Sequence, residues 1–369
     1  MRVCIDGSPL LVRSGGVKTY LHHLIRQMQS LKGAETVKAF PYLGRIPELN
    51  HERSVAGKIS TFARLVALAL TTRGFIPAGW MVPKADVFHA SNLMRQHPGT
   101  HRLTATIYDM TCWLFPELHT AGTLQADRES AERIWSRADA LIAISHKSKE
   151  DAVKILGVKE ERIHVVYPGV EQEYFRVSDA DVARVRSRYS LQRPYVLFVS
   201  TIEPRKNLDR LIAAYRQLAG STREAFDLAV AGPGGWKSEQ TLASLRSGSI
   251  PGVKYLGYVA EGDMLGLFAG ATVFAYPSLY EGFGLPVLQA MAAGVPVLAG
   301  ATGSLPEVAS DPAVFVDPYS VDDIRNSLER LLTSPSERAI RSAEGRAHAA
   351  NFRWDTCAEE TWRVFERIV

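Results

Sequence analysis

The chain has 369 residues, too many for one compact core at the usual size of about 150 residues per domain, so two domains are expected. Apolar residues make up 46% and charged residues 22%, an ordinary soluble balance that excludes a disordered or membrane-embedded chain. The net charge of +4 is uneven: residues 1–100 hold thirteen Lys/Arg against five Asp/Glu, a net +8, which leaves −4 for the remainder and points to different partners for the two parts.

From the N-terminus, MRVCIDGSPLL lacks the long apolar stretch and the small-residue cleavage site of a secretory signal. No later run reaches the roughly 18 apolar residues of a membrane span. Cys4, Cys112 and Cys357 lie far apart, as free thiols in a reducing compartment do. A cytoplasmic protein is therefore expected. Apolar runs predict strands at Arg2–Ile5, Val37–Tyr42, Asp86–Ala90, Thr104–Tyr108, Ala140–Ile144 and Ile163–Val166. Helical spacing predicts helices at Gly16–Leu31, Lys58–Arg73 and Leu124–Arg137. A Pro/Gly/acid-containing segment, Tyr167–Phe175, then marks a boundary. A second strand series follows at Tyr195–Val199, Asp227–Ala231, Lys254–Gly257, Thr272–Tyr276, Pro296–Ala299 and Ala313–Val316. Its helices are expected at Leu208–Leu218, Met264–Ala269, Pro286–Ala293 and Val321–Leu332, and the tail Trp354–Val369 reads as one amphipathic helix. Strand–helix alternation of this kind implies an α/β protein with doubly wound parallel sheets, whose ligands bind beyond the carboxyl ends of the strands. The domains expected are 1–170 and 171–353, with the helix 354–369 packing back on the first.

The motifs lie just after predicted strands. In YPSLYEGFGLPVLQAMAAGVPVLA (Tyr276–Ala299), a loop with Glu281, Gly282 and Gly284 leads to Pro286, which opens a helix. A helix N-terminus suits a phosphate, glycines let the backbone approach a ligand, and a carboxylate can accept from sugar hydroxyls. A plain strand–turn–helix with a surface Glu would look the same. STIEPRKN (Ser200–Asn207) sets two cations, Arg205 and Lys206, after a strand, where they would stabilise a departing diphosphate; a solvated basic turn is the alternative. SGGVKTY (Ser14–Tyr20) carries Gly15 and Gly16 at the start of the first helix, and GPGGW (Gly232–Trp236) is an incomplete dinucleotide-type turn.

The set SGGV, EPRKN, GPGGW, GYV (Gly257–Val259), YPSLYEGFGLPVLQAMAAGVPV and SLPEVA (Ser304–Ala309) resembles the retaining glycosyltransferases of family 4, which have the GT-B fold of two Rossmann-like domains facing a cleft. EPRKN is most similar to the bacterial mannosyltransferases of polysaccharide and O-antigen synthesis. The resemblance is dense from Tyr195 onward and thinner before Ala140. It implies an N-terminal acceptor domain and a C-terminal nucleotide-sugar domain. Arg205 and Lys206 would bind the donor diphosphate and Glu281 the donor sugar, these three being the catalytic set. Phe283, Gly284 and Leu285 would offer backbone groups to the sugar and phosphate. Tyr258 and Val259 would lie by the nucleobase, and Gly15 and Gly16 would approach the phosphate. Two positions depart from the family. Gln289 replaces the second Glu, which contacts the ribose; its amide still accepts one hydrogen bond and donates others. Tyr108, in TIYDM, replaces a histidine near the donor sugar and cannot act as an imidazole base. Asp109 is a further candidate contact or, equally, a turn cap.

The expected reaction is transfer of a hexose with retention, from a GDP-sugar in preference to a UDP-sugar, to a glycan or lipid-linked glycan, with no cofactor and no metal. Asp179-Ala180-Asp181 matches a metal-binding DxD pattern but reads as acid placement at a helix start, and His22 and His23 point to different helix faces. The helix at Lys58–Arg73 carries Ile59, Phe62, Val66 and Leu70 on one face, flanked by Lys58, Arg64 and Arg73. It either packs as an ordinary amphipathic helix or provides a peripheral contact with the inner face of an anionic membrane. Trp80 and Trp113 are core residues or acceptor-sugar platforms. The rival functions are a nucleotide-sugar epimerase, a glycoside hydrolase lacking its carboxyl pair, and a catalytically decayed nucleotide-sugar-binding subunit. No nucleic-acid motif is present.

Overall fold

The computed structural model describes residues 1–12, 15–41, 49, 53–72, 75–77, 80, 82–94 and 102–369. Ser14 of the SGGV motif, Tyr42 of the second expected strand and Arg73 of the basic helix lie outside the described residues. The chain forms two compact units: Met1–Gly169 together with Arg353–Val369, and Val170–Phe352.

The first unit holds a six-stranded parallel sheet of β1 (Val3–Asp6), β2 (Val37–Phe40), β3 (Val87–Ala90), β4 (Arg102–Ile107), β5 (Ala140–Ala143) and β6 (Ile163–Val165), in the order β2-β1-β3-β4-β5-β6. The second repeats the architecture with β7 (Tyr195–Val199), β8 (Asp227–Ala231), β9 (Val253–Gly257), β10 (Val273–Tyr276), β11 (Val297–Gly300) and β12 (Val314–Val316), in the order β12-β11-β10-β7-β8-β9. Helices cover both faces of such sheets, which is why the central strands YVLFV, DLAVA and VFAY are buried along their whole length. In each sheet the strand order reverses beside the first strand. In the first unit the split falls between β1 and β3, and in the second between β7 and β10. A crevice opens at the carboxyl ends of the strands at such a reversal.

All twelve expected strands form, and most expected helices form with ends moved by a few residues. The first helix, α1 (Gly16–Lys32), buries Tyr20, Leu21, Leu24, Ile25 and Met28 and packs against the last helix, Trp354–Glu366. The next, α2, spans Lys58–Thr72. The helix expected at Leu124–Arg137 starts earlier, at Ala121, and its last turn, Ala131–Trp135, is a wider π turn. Several helices were not expected, the two longest being His146–Leu156 and Pro335–Ala349. His146–Leu156 opens with a polar turn capped by Ser145, whose hydroxyl accepts from the Ser148 amide. Pro335–Ala349 is rich in Ala and charge and buries only Gly345 and Ala349, so it carries no apolar stripe to read.

The last helix belongs to the first unit because the chain re-enters it beside the point where it left. Gly169 lies so close to the backbone of Arg353 and Trp354 that a Cβ there would overlap three of their main-chain atoms. Replacing Gly169 with Ala should cost about 2–4 kcal/mol, because neither backbone can yield like a flexible side chain. Gly220→Ala, at an open helix start with nothing within 4 Å, should stay within about 0.5 kcal/mol of wild type. Equilibrium denaturation of both variants checks the contrast; equal stabilities would show that the backbone at Gly169 relaxes freely.

Candidate functional site

The carboxyl ends of β7 and β10 are neighbours in the second sheet, with Phe274 of β10 in register with Leu197 of β7. The loops that leave these two strands carry the EPRKN and EGFG motifs, so the split brings them together. After β7, Pro204 opens a short 3-10 turn, Pro204–Lys206, and Asn207 ends it in the left-handed region at φ 61°. The Asn207 side chain donates to the carbonyls of Pro277 at 2.8 Å and Pro318 at 2.6 Å, which fastens this turn to the loop after β10. The Leu279 amide donates to the Arg205 carbonyl at 2.8 Å.

On this frame Arg205, Lys206 and Glu281 form one cluster. Lys206 Nζ donates to Glu281 Oε1 at 2.7 Å and Oε2 at 2.8 Å, and to the Tyr276 hydroxyl at 3.0 Å. Arg205 Nη1 donates to Glu281 Oε2 at 3.0 Å and to the Tyr280 carbonyl at 2.8 Å, while Nη2 donates to Glu203 Oε1 at 2.8 Å. Glu203, Lys206 and Glu281 are all buried. Burial alone would raise the Glu281 pKa, but the Lys206 and Arg205 charges outweigh it and hold the carboxyl down at about 2. Burial and the Arg205 charge pull on Lys206 the other way, yet Glu281 wins and its pKa is raised. Both groups are ionised at neutral pH. The stabilisation due to Glu281 is in place above the ordinary carboxylate range and is lost only as the pH falls towards 2.

The helix Leu285–Ala292 begins one turn beyond Glu281. Gly284 precedes it at φ 100°, and Pro286 sits in its first turn. The Glu281 carbonyl accepts from both the amide and the hydroxyl of Ser304 at 3.0 Å, so the SLPEVA segment braces this loop. Phe283 is buried edge-on to Phe352, with centroids 6.0 Å apart. Gln289, a turn further on, donates from Nε2 to both carboxylate oxygens of Glu171 at 3.4 Å. A carboxylate thus stands beside the uncharged position. GPGGW lies after β8 and serves the EPRKN loop: the Ile202 amide donates to the Pro233 carbonyl and the Gly235 amide to the Ile202 carbonyl, both at 2.9 Å. Gly232 has φ 137°, and a Cβ there would run into the Ser200 carbonyl. Val259 is buried just past β9, with Tyr258 half-buried beside it.

In the first unit Gly15 caps α1, and its carbonyl accepts from the amides of Lys18 and Thr19 at 3.0 and 3.2 Å. Gly16 has open space around it. Lys18 is fully buried. Its Nζ donates to the carbonyls of Val12 and Arg53 at 2.8 Å, and burial lowers its pKa to about 8. Tyr108 meets Tyr20 edge-on, with centroids 5.5 Å apart, and burial, then the Asp6 charge, raise its pKa, so it stays protonated. Asp109 Oδ1 accepts from the amide and hydroxyl of Thr111 at 2.9 and 2.5 Å, which closes the turn before a short helix. Trp113 packs against Trp135, whereas Trp80 is exposed. Asp179 and Asp181 start a helix capped by Ser178, and His23 stacks on Trp354. Among the described residues no group of three His, Cys, Asp or Glu side chains is placed to hold a metal ion. Sequence reasoning missed Lys18, Glu171, Glu203, Tyr276 and Asn207. Lys18, Glu203, Asn207 and Tyr276 all lie inside the quoted motifs, which is the signal that could have found them, whereas Glu171 carried none.

Residues 180–348 match the family described as glycosyl transferases group 1, and residues 14–174 match glycosyltransferase family 4. The O-antigen chain mannosyltransferase B of Escherichia coli is 29% identical to this chain, with 100% of both chains covered. The serotype-specific mannosyltransferase WbdA of Escherichia coli is 31% identical over 64% of this chain, which spans 29% of that protein's length. Among solved structures, Anabaena HepE in complex with UDP and glucose has the same fold, with a TM-score of 0.74, 19% identity and 100% of both chains covered. With a family match in each unit and a full-length likeness to an O-antigen mannosyltransferase, this chain belongs to the family 4 glycosyltransferases of GT-B fold.

Proposed function

We propose that the protein moves a mannose-type hexose from a GDP-sugar to a glycan or lipid-linked glycan in cell-surface polysaccharide synthesis, in the cytoplasm, with retention of configuration and without a metal ion. The observation that carries this is the Arg205–Lys206–Glu281 cluster at the split of the second sheet. The second unit takes the nucleotide sugar and the first unit the acceptor. Breaking the glycosidic bond puts negative charge on the diphosphate. Arg205, Lys206 and the N-terminus of the helix Leu285–Ala292 supply fixed positive charge for it. The three Lys206 N–H groups are already directed at Tyr276 and Glu281. The diphosphate therefore takes over part of that bonding, and the Glu281 carboxylate turns to the donor sugar hydroxyls. The leaving phosphate accepts the acceptor's proton as the new bond forms on the same face, so no side chain needs to be a strong base. Tyr108 and Asp109 serve as polar neighbours, and Gly15 and Gly16 allow close approach of a phosphate to the start of α1. Tyr258 and Val259 lie by the base. The preference for GDP draws on the O-antigen mannosyltransferase relatives; the solved HepE complex holds UDP, which keeps UDP-sugars in the comparison.

Arg205→Ala and Lys206→Ala should each lower kcat/KM by about 10²–10³. Lys206→Ala should also cost about 3–5 kcal/mol of stability, because it leaves Glu281 buried without its main partner. Transfer assays and denaturation check both effects, and undiminished turnover would remove the cluster from catalysis. At position 289 the amide and the Glu171 carboxylate together take the place of a ribose-binding carboxylate. Glu171→Gln should raise the donor KM about tenfold with kcat little changed; an unaltered KM would leave Glu171 a structural partner of Gln289. In EDTA, GDP at one hundred times its dissociation constant should raise the unfolding free energy by about 2.7 kcal/mol. Stabilisation by UDP alone would reverse the donor assignment, and a response that appears only with magnesium would reverse the metal-free one.

A further inference from the structure

Glu203 is the member of the buried cluster to which the proposed reaction gives no task. It precedes the Pro204–Lys206 turn in extended conformation, and its carbonyl accepts from the Lys206 amide at 3.0 Å. Its backbone is fixed from the other side by GPGGW: a Cβ on Gly235 would come 2.9 Å from the Ile202 carbonyl and 3.5 Å from the Glu203 Cβ. The Glu203 side chain is 3% exposed and that of Arg205, its ion-pair partner, 12%. A carboxylate so far from water opposes the entry of any further anion. Its presence beside two cations that are to receive a diphosphate therefore calls for a reason.

The two carboxylates hold Arg205 by different nitrogens. Nη1 donates to Glu281 Oε2 at 3.0 Å, and Nη2 donates to Glu203 Oε1 at 2.8 Å. Lys206 Nζ bonds both oxygens of Glu281. A diphosphate that enters at Nη1 and Nζ displaces Glu281 from both cations and leaves Glu203 on Nη2. The planar guanidinium then stays anchored along one edge and offers the other. Charge is the second consequence. Glu203 and Glu281 balance Arg205 and Lys206, so the fixed charge of the group is zero. Without the Glu203 charge the same site would be cationic, in a buried place where salt screens little. Cleavage of a glycosidic bond gives the leaving diphosphate one more ionisable oxygen than it has in the nucleotide sugar. Surplus positive charge would thus hold the product more than the donor, and product release limits turnover in many enzymes.

We propose that Glu203 is a positioning residue that aims Arg205 and keeps the charge of the diphosphate site low enough for the product to leave. This rests on reading the cluster as a diphosphate site. The probe is therefore inorganic pyrophosphate, the part common to all nucleoside diphosphates, with binding to the full chain measured by calorimetry. Turnover is measured beside it with whichever nucleotide sugar the wild type accepts. Glu203→Gln keeps an acceptor for Nη2 and removes the charge. It should bind pyrophosphate about tenfold more tightly, and kcat and the donor KM should both fall by roughly that factor. A carboxylate that merely braced the fold would give weaker binding instead. Glu203→Asp keeps the charge and shortens the reach. Its pyrophosphate affinity should stay within about threefold of wild type while kcat falls about tenfold. It decides the question alone if the Gln variant does not fold, since an unchanged kcat or tighter binding would overturn the proposal. Asp209→Asn removes an exposed carboxylate bonded to Thr241 and should leave pyrophosphate affinity as it is; tightening equal to that of Glu203→Gln would reduce the effect to overall charge and overturn the proposal. If Glu203→Gln binds no more tightly while Arg205→Ala binds more weakly, Glu203 loses this role and the diphosphate site stands. If Arg205→Ala and Lys206→Ala both bind pyrophosphate as the wild type does, the diphosphate site falls and the role of Glu203 with it.

Discussion

The buried ion pair between Lys206 and Glu281 is the constraint on which the second unit's site depends. It joins the loop after β7 to the loop after β10 at the one place where the sheet lets two outgoing loops diverge. Removing two charges from water costs several kcal/mol per ion, and only a well-satisfied arrangement recovers it. Here all three Lys206 protons and both Glu281 oxygens have partners, and Arg205 and Glu203 extend the pair into a neutral group of four. The surrounding backbone is shaped to hold it. Asn207 takes a left-handed conformation so that its amide can fasten both loops. Gly303, at φ 60°, lets its chain pass close to the Glu281 backbone. A purely structural pair would be replaceable by packed apolar side chains at little cost. In the proposed reaction a diphosphate would enter this pair by exchanging one anion for another at fixed cations, which would give a reason for keeping charge in so dry a place.

The first unit uses a related device with different chemistry. Its split lies between β1 and β3, and there Asp6 is wholly buried at the end of β1. Its carboxylate accepts from the amide and hydroxyl of Ser8 at 3.0 and 2.5 Å and from the Ser91 hydroxyl at 2.5 Å, just past β3. Burial raises the Asp6 pKa, and these hydrogen bonds oppose the rise. Lys18 adds a second tie by holding two loop carbonyls near the start of α1. Each sheet thus closes its split with a buried polar clamp. In the first unit the clamp is one carboxylate held by hydroxyls and amides; in the second it is a carboxylate held by cations. Among the described residues, the clamp built on cations is that of the second unit, and it lies at the carboxyl ends of its strands, where a phosphorylated donor would be stabilised.

The sheets were legible because their strands are short apolar runs, such as the β-branched and aromatic YVLFV, separated by helices. The motif loops were legible for the same reason: a strand's end fixes where the next loop begins. What local sequence does not contain is which loops meet. EPRKN and EGFG are more than seventy residues apart, and only the crossover from β9 back to β10 beside β7 makes Arg205, Lys206 and Glu281 one cluster. Glu171 is a stronger case. It lies in the boundary segment, 118 residues from Gln289, and nothing near it marks it as a partner. GPGGW shows the converse, a motif with a visible structural task. Its spacing suggests a phosphate turn, but its glycines are needed because the Ser200 carbonyl and the Ile202 strand edge lie against them.

α2 shows where periodicity stops being informative. A stripe at Ile59, Phe62, Val66 and Leu70 establishes a helix, since no other period aligns those positions. The same pattern arises whether the stripe faces a core or a surface, and the sign of that direction is set by what else packs nearby. Leu68 and Thr71 occupy the inward side, and Arg64 is drawn inward to the Pro41 carbonyl, so the stripe has to face out. The surrounding sequence fits that orientation. A helix meant for a core tolerates acidic residues on its solvent face, and those residues aid solubility. Here the solvent face is the apolar one, and no acidic residue occurs from 53 to 85.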